Sequence, residues 1–369
     1  MFQQKYQFKN YNWILVINVL VLCILGVVFI NSADDSYTVR QFGGFVAGSI
    51  VMIVFSVIDF RKWCRWSRIL YIMNIVLLVI VKVAGVRVGG AKRWISLGFT
   101  NIQPSEFAKI IMIIFVATYI QEHEDDLNRF KTLFKLAVLC AIPLVLVMIE
   151  PDLSTGVDIV FILLAVIFVG DIDSKIIRNC LLVLIPLAVL FIWYIQTPGQ
   201  ILLQDYQVTR IMTFINPSKY QDTIYQQDNS VMAIGSGKLY GKGLNNNTIA
   251  DVSVTDTGFV SEQQTDFIFS VVGEEFGFLG SAFVILLFVA VVIQCLIIAS
   301  RARNLSGRLI ATGMAALVGF QSFINVGVAT EILPNTGLPL PFLSYGLTSL
   351  LACLGGMGIV LNIGLQRQY

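Results

Sequence analysis

The chain is poor in charge and has almost no histidine. Only 13% of its 369 residues are Asp, Glu, Lys or Arg, roughly half the share usual in soluble domains. Hydrophobic residues make up 56%, and the mean hydropathy is +0.79. A water-soluble globule is thereby excluded, and lipid is the main solvent. The 25 basic and 23 acidic residues leave a net charge of +2, so there is no basic field to hold a nucleic acid. The single histidine, His123, lies in the polar run QEHEDD, which excludes a buried histidine base or a Ser-His-Asp triad. The six cysteines, at 23, 64, 140, 180, 295 and 353, stand singly without a CxxC or a Cys/His cluster. That pattern argues against a disulfide framework and against a zinc site. Internal repeats, low-complexity tracts and a second domain are also missing, so residues 1–369 read as one polytopic unit.

What the chain does have is apolar runs long enough to cross a bilayer as helices. Ten are expected, at about 13–31, 41–58, 68–84, 105–120, 132–149, 155–170, 178–196, 278–299, 308–330 and 341–363. The fold class is therefore an all-α integral membrane protein of about ten transmembrane helices, with a large extracellular loop, about 197–266, between helices 7 and 8. The first run has no small-residue cleavage site after its apolar core and reads as an anchor rather than a signal peptide. Basic residues cluster at the two ends and in alternate loops: Lys5 and Lys9, Arg61 to Arg68, Arg129 to Lys135, Lys175 and Arg178, Arg301 to Arg308, and Arg367. By the positive-inside rule both termini are cytoplasmic. The large loop carries Gly, Asn, Gln and Tyr and reads as an ordered outer lid. Its end, DFIFSVVGEEFGFLG, is expected to form a short helix tilted into the membrane mouth.

Ionisable groups near membrane depth are costly, so each is a candidate for function. In GGAKRWISLGFTNIQPSEFAKI, Lys92 and Arg93 stand in an outer loop, Pro104 suits the first turn of helix 4, and Glu106 and Lys109 share one helical face. Those two either neutralise each other or line a polar cavity. Gly89 and Gly90 could wrap a phosphate, a weak signal alone. In IEPDLSTGVD, Glu150 and Asp152 end the fifth span. Asp152 suits a helix-entry cap, and becomes functional only if it faces the same cavity.

The densest constellation is SEQQTDFIFSVVGEEFGFLG. Asp266 closes the large loop beside an apolar FIF run, where desolvation should raise its pKa toward that of a general base. Glu262, four residues earlier, shares its face only if the segment is helical. Glu274 and Glu275 fit structural roles better, closing a turn or pairing with a cation. QDYQVTRIMTFINP adds Tyr206, Gln207 and Arg210. Gly235, Gly237, Gly241 and Gly243 fit a turn-rich loop at least as well as a phosphate cradle. The prolines of LPNTGLPLPFLSYG interrupt helix before the last span, as a cavity wall would.

On GGAKRWISLG, QPSEFAK, PDLSTG, YQVTRIMTFINP, SGKLYGKG, TDFIFSVVGEEFGFLG and LPNTGLPLPFLSYG, in that order, the chain resembles the SEDS family (shape, elongation, division and sporulation), the RodA and FtsW peptidoglycan polymerases. The resemblance covers nearly the whole sequence. It departs at Leu347 and Thr348, where the family usually reads SYGGSS, and at Lys238, where SGGxxGxG is common. The short N-terminal segment favours a RodA-like member. The resemblance implies a peptidoglycan glycosyltransferase (lipid II polymerase) in the cytoplasmic membrane. It transfers glycan from lipid II, the undecaprenyl-pyrophosphate-linked disaccharide peptide, to a glycan strand outside, in support of cell shape or elongation and beside a class B penicillin-binding protein. It also implies Asp266 as the catalytic base and Arg93, Glu106 and Lys109 as cavity residues; Asp152, Arg210 and Glu262 join them as candidate substrate-binding residues. No metal ligands can be read, although a divalent cation, magnesium or manganese, is compatible with a pyrophosphate leaving group. Two alternatives remain: a lipid II flippase using Glu106 and Lys109 as pathway residues, and a non-catalytic scaffold for a partner synthase.

Overall fold

The structure is a computed structural model, and it describes residues 11–88, 91–96, 98, 101–150, 152–195, 197, 205–216, 221–246 and 263–366. A helix stands at every expected span. They are α1 (Trp13–Ala33), α2 (Thr38–Val57), α3 (Phe60–Ala84), α4 (Pro104–Glu122), α5 (Phe130–Ile149), α6 (Leu153–Val169) and α7 (Ser174–Ile195), then, past the large loop, α10 (Ile268–Ser300), α11 (Leu305–Ala329) and α12 (Leu347–Leu365). Among the described residues eight of these are long and apolar enough to cross a bilayer, and α6 is a shorter apolar helix. The chain is an all-α integral membrane protein apart from one small sheet.

Three boundaries differ from expectation, each for a local reason. Helix α3 begins two turns early because Asp59 caps it, its carboxylate accepting from the Arg61 N–H at 3.0 Å; Arg61, Lys62, Arg65 and Arg68 are therefore helical, not loop. Helix α12 starts only at Leu347, after the proline-rich segment. The outer connection between α3 and α4, expected to be a loop, forms a three-stranded antiparallel sheet of β1 (Val86–Val88), β2 (Ala91–Ser96) and β3 (Asn101–Ile102). The large loop likewise contains α8 (Asp205–Ile215) and α9 (Gln221–Ser236).

Helices α4, α11 and α12 form the enclosed centre, with α10, α6, α3 and α2 around them, while α5 is mostly turned outward. Apolar burial cannot by itself drive helices together in lipid, so close backbone approach matters more. Gly44 and Gly48 of α2 provide it: a Cβ on either would run into Leu347 or Leu354 of α12. Asn362 locks the other end of that pair, accepting from the Phe60 N–H at 2.9 Å and donating to the Ser56 carbonyl at 2.9 Å.

Helix α10 breaks at Gly277, whose φ of 63° and ψ of −159° no L-residue takes comfortably. The expected short helix before the span is thus residues 268–276, joined to the long one at a kink. The backbone groups freed there bond the loop after α9: Lys242 N–H to Glu274 O at 3.0 Å, Gly243 N–H to Glu275 O at 2.9 Å, and Phe278 N–H to Lys238 O at 2.8 Å. Side chains on Gly237 or Gly241 would collide with the α10 backbone. These glycines therefore close a backbone junction.

Candidate active site

Asp266 lies half-buried in the turn of residues 263–267 that leads into α10, just before the buried Phe267. Three contacts fix that turn to the segment before α12. The Tyr345 N–H donates to the Gln264 carbonyl at 2.8 Å, the Ser344 hydroxyl donates to the Thr265 carbonyl, and the Asn325 amide of α11 donates to the carbonyls of Asp266 at 2.8 Å and Leu338 at 2.7 Å. The prolines that end helix in this segment leave its carbonyls available, and Asn325 gathers two of them.

Gly337 lies between two site residues. A Cβ added there would stand 3.1 Å from the Asp266 Oδ2 and 3.5 Å from the Arg210 Nη1. The φ of +73° favours glycine here, and a side chain would press on the Asp266 carboxylate while just touching the guanidinium. Arg210, on α8, also donates to the Thr336 carbonyl at 3.0 Å, and the Ser154 hydroxyl from the start of α6 donates to the same oxygen.

Asp152 is the N-cap of α6, accepting from the Thr155 N–H at 3.2 Å. Its carboxylate also receives Arg93 of β2 at 3.5 Å and the Gln103 amide at 3.1 Å. The helix-entry reading of Asp152 therefore holds, and Arg93 and Gln103 meet at its carboxylate. Lys92 turns away, donating to the Val83 carbonyl at 2.9 Å. Glu150 lies just before, 1% exposed, and neither carboxylate oxygen has a protein partner. Burial, and next the neighbouring Asp152, push its carboxyl up to about 8, while Arg93 and Lys82 act in the opposite direction.

Glu106 and Lys109 pair at 3.0 Å, but not alone. Lys109, 1% exposed, also meets Asp158 of α6 at 3.7 Å and the Gln321 Oε1 of α11 at 3.3 Å. The Gln321 amide then donates to the Pro339 carbonyl at 2.9 Å. Gln321 and Asn325 are four apart on α11 and so share a face. Together they link the Lys109 cluster to the backbone that carries Asp266.

Arg93, Glu106, Lys109, Asp152, Arg210 and Asp266 are therefore joined through α4, α6, α11 and the 336–345 segment at one end of the bundle. Glu262, Gly89 and Gly90 fall outside the described residues, as do the side chains of Tyr206 and Gln207. Glu274 and Glu275 go elsewhere: Lys242 pairs with Glu274 at 2.6 Å, and Glu275 accepts from Ser32 and from the Asn245 N–H. Asp158, Gln103, Gln321 and Asn325 escaped the sequence reading. The signal for three of them was available as polar residues inside apolar helices, Gln321 and Asn325 at helical spacing. Among the described residues no group of three His, Cys, Asp or Glu side chains is placed to hold a metal ion.

The comparisons with known proteins agree with this architecture. A family model described as cell cycle protein, FTSW_RODA_SPOVE, matches residues 12–369. Stage V sporulation protein E of Bacillus subtilis is 33% identical, over 96% of this chain and 97% of its own. Peptidoglycan glycosyltransferase MrdB of Escherichia coli is 33% identical, over 96% and 93%. A chain solved in a study of polymerization and crosslinking by a peptidoglycan synthase complex superposes with a TM-score of 0.80 at 27% identity, over 96% of this chain and 97% of that one. With its family match running from residue 12 to the last residue, the chain belongs to the cell cycle protein family of FtsW, RodA and SpoVE.

Proposed function

We propose that the chain is a membrane-embedded peptidoglycan glycosyltransferase that polymerises lipid II, with Asp266 as general base. The observation that carries this reading is the convergence of the Asp266 carboxylate and the Arg210 guanidinium on Gly337. Lipid II carries an α-linked pyrophosphate and the product linkage is β, so one inverting displacement suffices. Asp266 takes the proton from the acceptor 4-hydroxyl as that oxygen attacks the donor's anomeric carbon. The C–O bond to pyrophosphate breaks, and Arg210 and Arg93, both half-buried, stabilise the charge that develops on the leaving group. A magnesium or manganese ion assisting that departure would draw its oxygens chiefly from the pyrophosphate itself. Glu262 is retained as a substrate-binding candidate on the sequence alone.

Lys109 acts in this reading through Gln321 on the Pro339 carbonyl, in the segment to which the Asp266 turn is fixed. The burial of Lys109 among Glu106, Asp158 and Gln321 also disfavours the flippase alternative, in which that lysine lines an open path. The membrane is the cytoplasmic one, with both termini inside and Asp266 facing out, as the basic loops indicate. A class B penicillin-binding protein, the partner that the family resemblance implies, is the proposed partner, in line with the peptidoglycan synthase complex of the structural relative.

Purified chain, wild type beside Asp266→Asn, is tested on purified lipid II with and without that partner. The variant is expected to fold and bind lipid II but to lose at least a hundredfold in glycan synthesis, the scale of general-base catalysis. Near-normal polymerisation would remove Asp266 from the mechanism and favour the scaffold. For the orientation, a cysteine replacing the exposed Asp228 is expected to react with an impermeant maleimide on intact cells; reaction only after permeabilisation reverses the topology.

A further inference from the structure

The opposite end of the bundle holds a cavity of about 260 Å³, between the first turns of α3, the last turn of α4 and the first turn of α11. It lies roughly 28 Å from Asn325 along α11, by the rise of an α-helix, and takes no part in the site described above. Arg61, Cys64 and Arg65 form one wall, Thr118, Gln121 and Glu122 another, and Ser306 the third.

The lining is built to receive an anion. The two acids nearby are already engaged: Glu122 by Arg68 at 2.6 Å, and Asp59 by the Arg61 N–H at 3.0 Å and the Gln366 amide at 3.1 Å. Arg61 and Arg65 thus bring two guanidiniums to a lining whose one carboxylate, Glu122, is paired with Arg68. The Gln121 Oε1 accepts from the Ser306 N–H at 2.8 Å, which turns the oxygen toward α11 and leaves the amide NH₂ as a donor. Guanidinium groups are the preferred partners of phosphate because their paired N–H groups match its oxygens.

Beside the basic residues of α3 stand two exposed apolar side chains: Trp66, directly after Arg65 and 52% exposed, and Ile69, one turn past Arg65 and 67% exposed. A tryptophan at such a level suits the boundary between headgroups and acyl chains. We propose that this cavity binds the headgroup of an anionic glycerophospholipid, its phosphodiester on Arg61 and Arg65 and its acyl chains along the Trp66–Ile69 face. Basic pockets between membrane helices recognise anionic lipid headgroups by this chemistry. The inference does not depend on the catalytic reading, and neither does its test.

The full-length protein, purified in mild detergent and stripped of lipid, is titrated with phosphatidylglycerol, with phosphatidylcholine and with inorganic phosphate, and bound ligand is counted by native mass spectrometry. Wild type is expected to take up phosphatidylglycerol in preference to phosphatidylcholine. Arg65→Gln and Arg61→Gln are each expected to weaken that uptake about tenfold, the loss of one charge-assisted hydrogen bond. Arg65→Lys keeps the charge and should retain part of the binding. Arg65 is exposed, so its variants test the site without disturbing the core. Equal uptake of the two lipids, or unchanged uptake by both glutamine variants, would overturn the proposal. Saturation by inorganic phosphate with no preference between lipids would overturn the lipid source and leave a free-phosphate site instead.

Discussion

Two regions near the same end of the bundle hold buried acids beside a lysine, and they use them differently. At the kink of α10, Glu274 and Glu275 are tied to the loop that packs on them, by Lys242, by Ser32 and by the Asn245 N–H. Every one of these bonds closes a junction between two stretches of backbone. In the α4–α6–α11 cluster, Lys109 faces two carboxylates, and oxygens of Glu106 and Asp158 have no protein hydrogen-bond partner. Gln321 and Asn325 then carry that cluster's contacts onward to the carbonyls of Pro339, Leu338 and Asp266. A buried charge that ends in its own clamp is structural, whereas one that continues to the backbone around the proposed base positions it.

The largest expected effect separates the two regions by stability. Lys109→Met leaves Glu106 and Asp158 buried without their cation, which is expected to cost about 3–5 kcal/mol. Lys242→Ala removes one charged hydrogen bond from a residue 24% exposed and is expected to cost about 2 kcal/mol. Thermal unfolding in the same detergent measures both, and glycan synthesis per folded molecule should survive the second substitution. If Lys242→Ala abolishes synthesis in folded protein, the α10 junction is part of the site and the contrast fails.

A smaller effect falls on rate. Asn325→Leu removes both donors that hold the Asp266 and Leu338 carbonyls, so the carboxylate loses its fixed position. Displacement on the scale of 1 Å can lower a rate on the order of a hundredfold. Because Asn325 does not touch the proposed substrate, kcat is expected to fall while KM changes little. A raised KM with unchanged kcat would make Asn325 a binding residue instead of a positioning one.

The sequence showed the parts of this molecule that depend on local rules. Apolar length placed the spans, Pro104 opened α4, and Asp152 capped α6, because each of those effects acts within one turn of helix. The β2 strand AKRWIS was read as loop because two basic residues and flanking glycines hide its alternation. Helices α8 and α9 were hidden for a related reason: both lie in a polar segment where hydropathy carries no signal. The clamp between the 237–243 loop and α10 was also out of reach, since it pairs backbone groups more than thirty residues apart. For the site, sequence reasoning found the charged residues but not the amides that join them, because Gln321 meets Lys109 across 212 residues of chain. Their spacing on one helical face was the available clue.

The last effect is a dependence on pH, and it sharpens the contrast from a third position. Glu150 belongs to neither clamp nor ladder, and its carboxyl is pushed up to about 8 from an ordinary 4.5, first by burial and then by Asp152. A carboxyl whose folded value is raised holds its proton more tightly in the folded state than in the unfolded one. Its contribution to stability is therefore complete below 4.5 and is lost as the pH rises through about 8. Glu150→Gln cannot ionise and should escape that loss. The variant and wild type are expected to unfold at similar temperatures below pH 4.5, and the variant at a higher temperature above pH 8. Arg93 supplies the competing pull, since it favours the charged carboxylate; Arg93→Gln should therefore widen the gap between wild type and Glu150→Gln in that background. Unfolding curves that keep the same separation at every pH would mean that Glu150 takes up its proton equally in the folded and the unfolded protein, with Arg93 and Lys82 offsetting its burial.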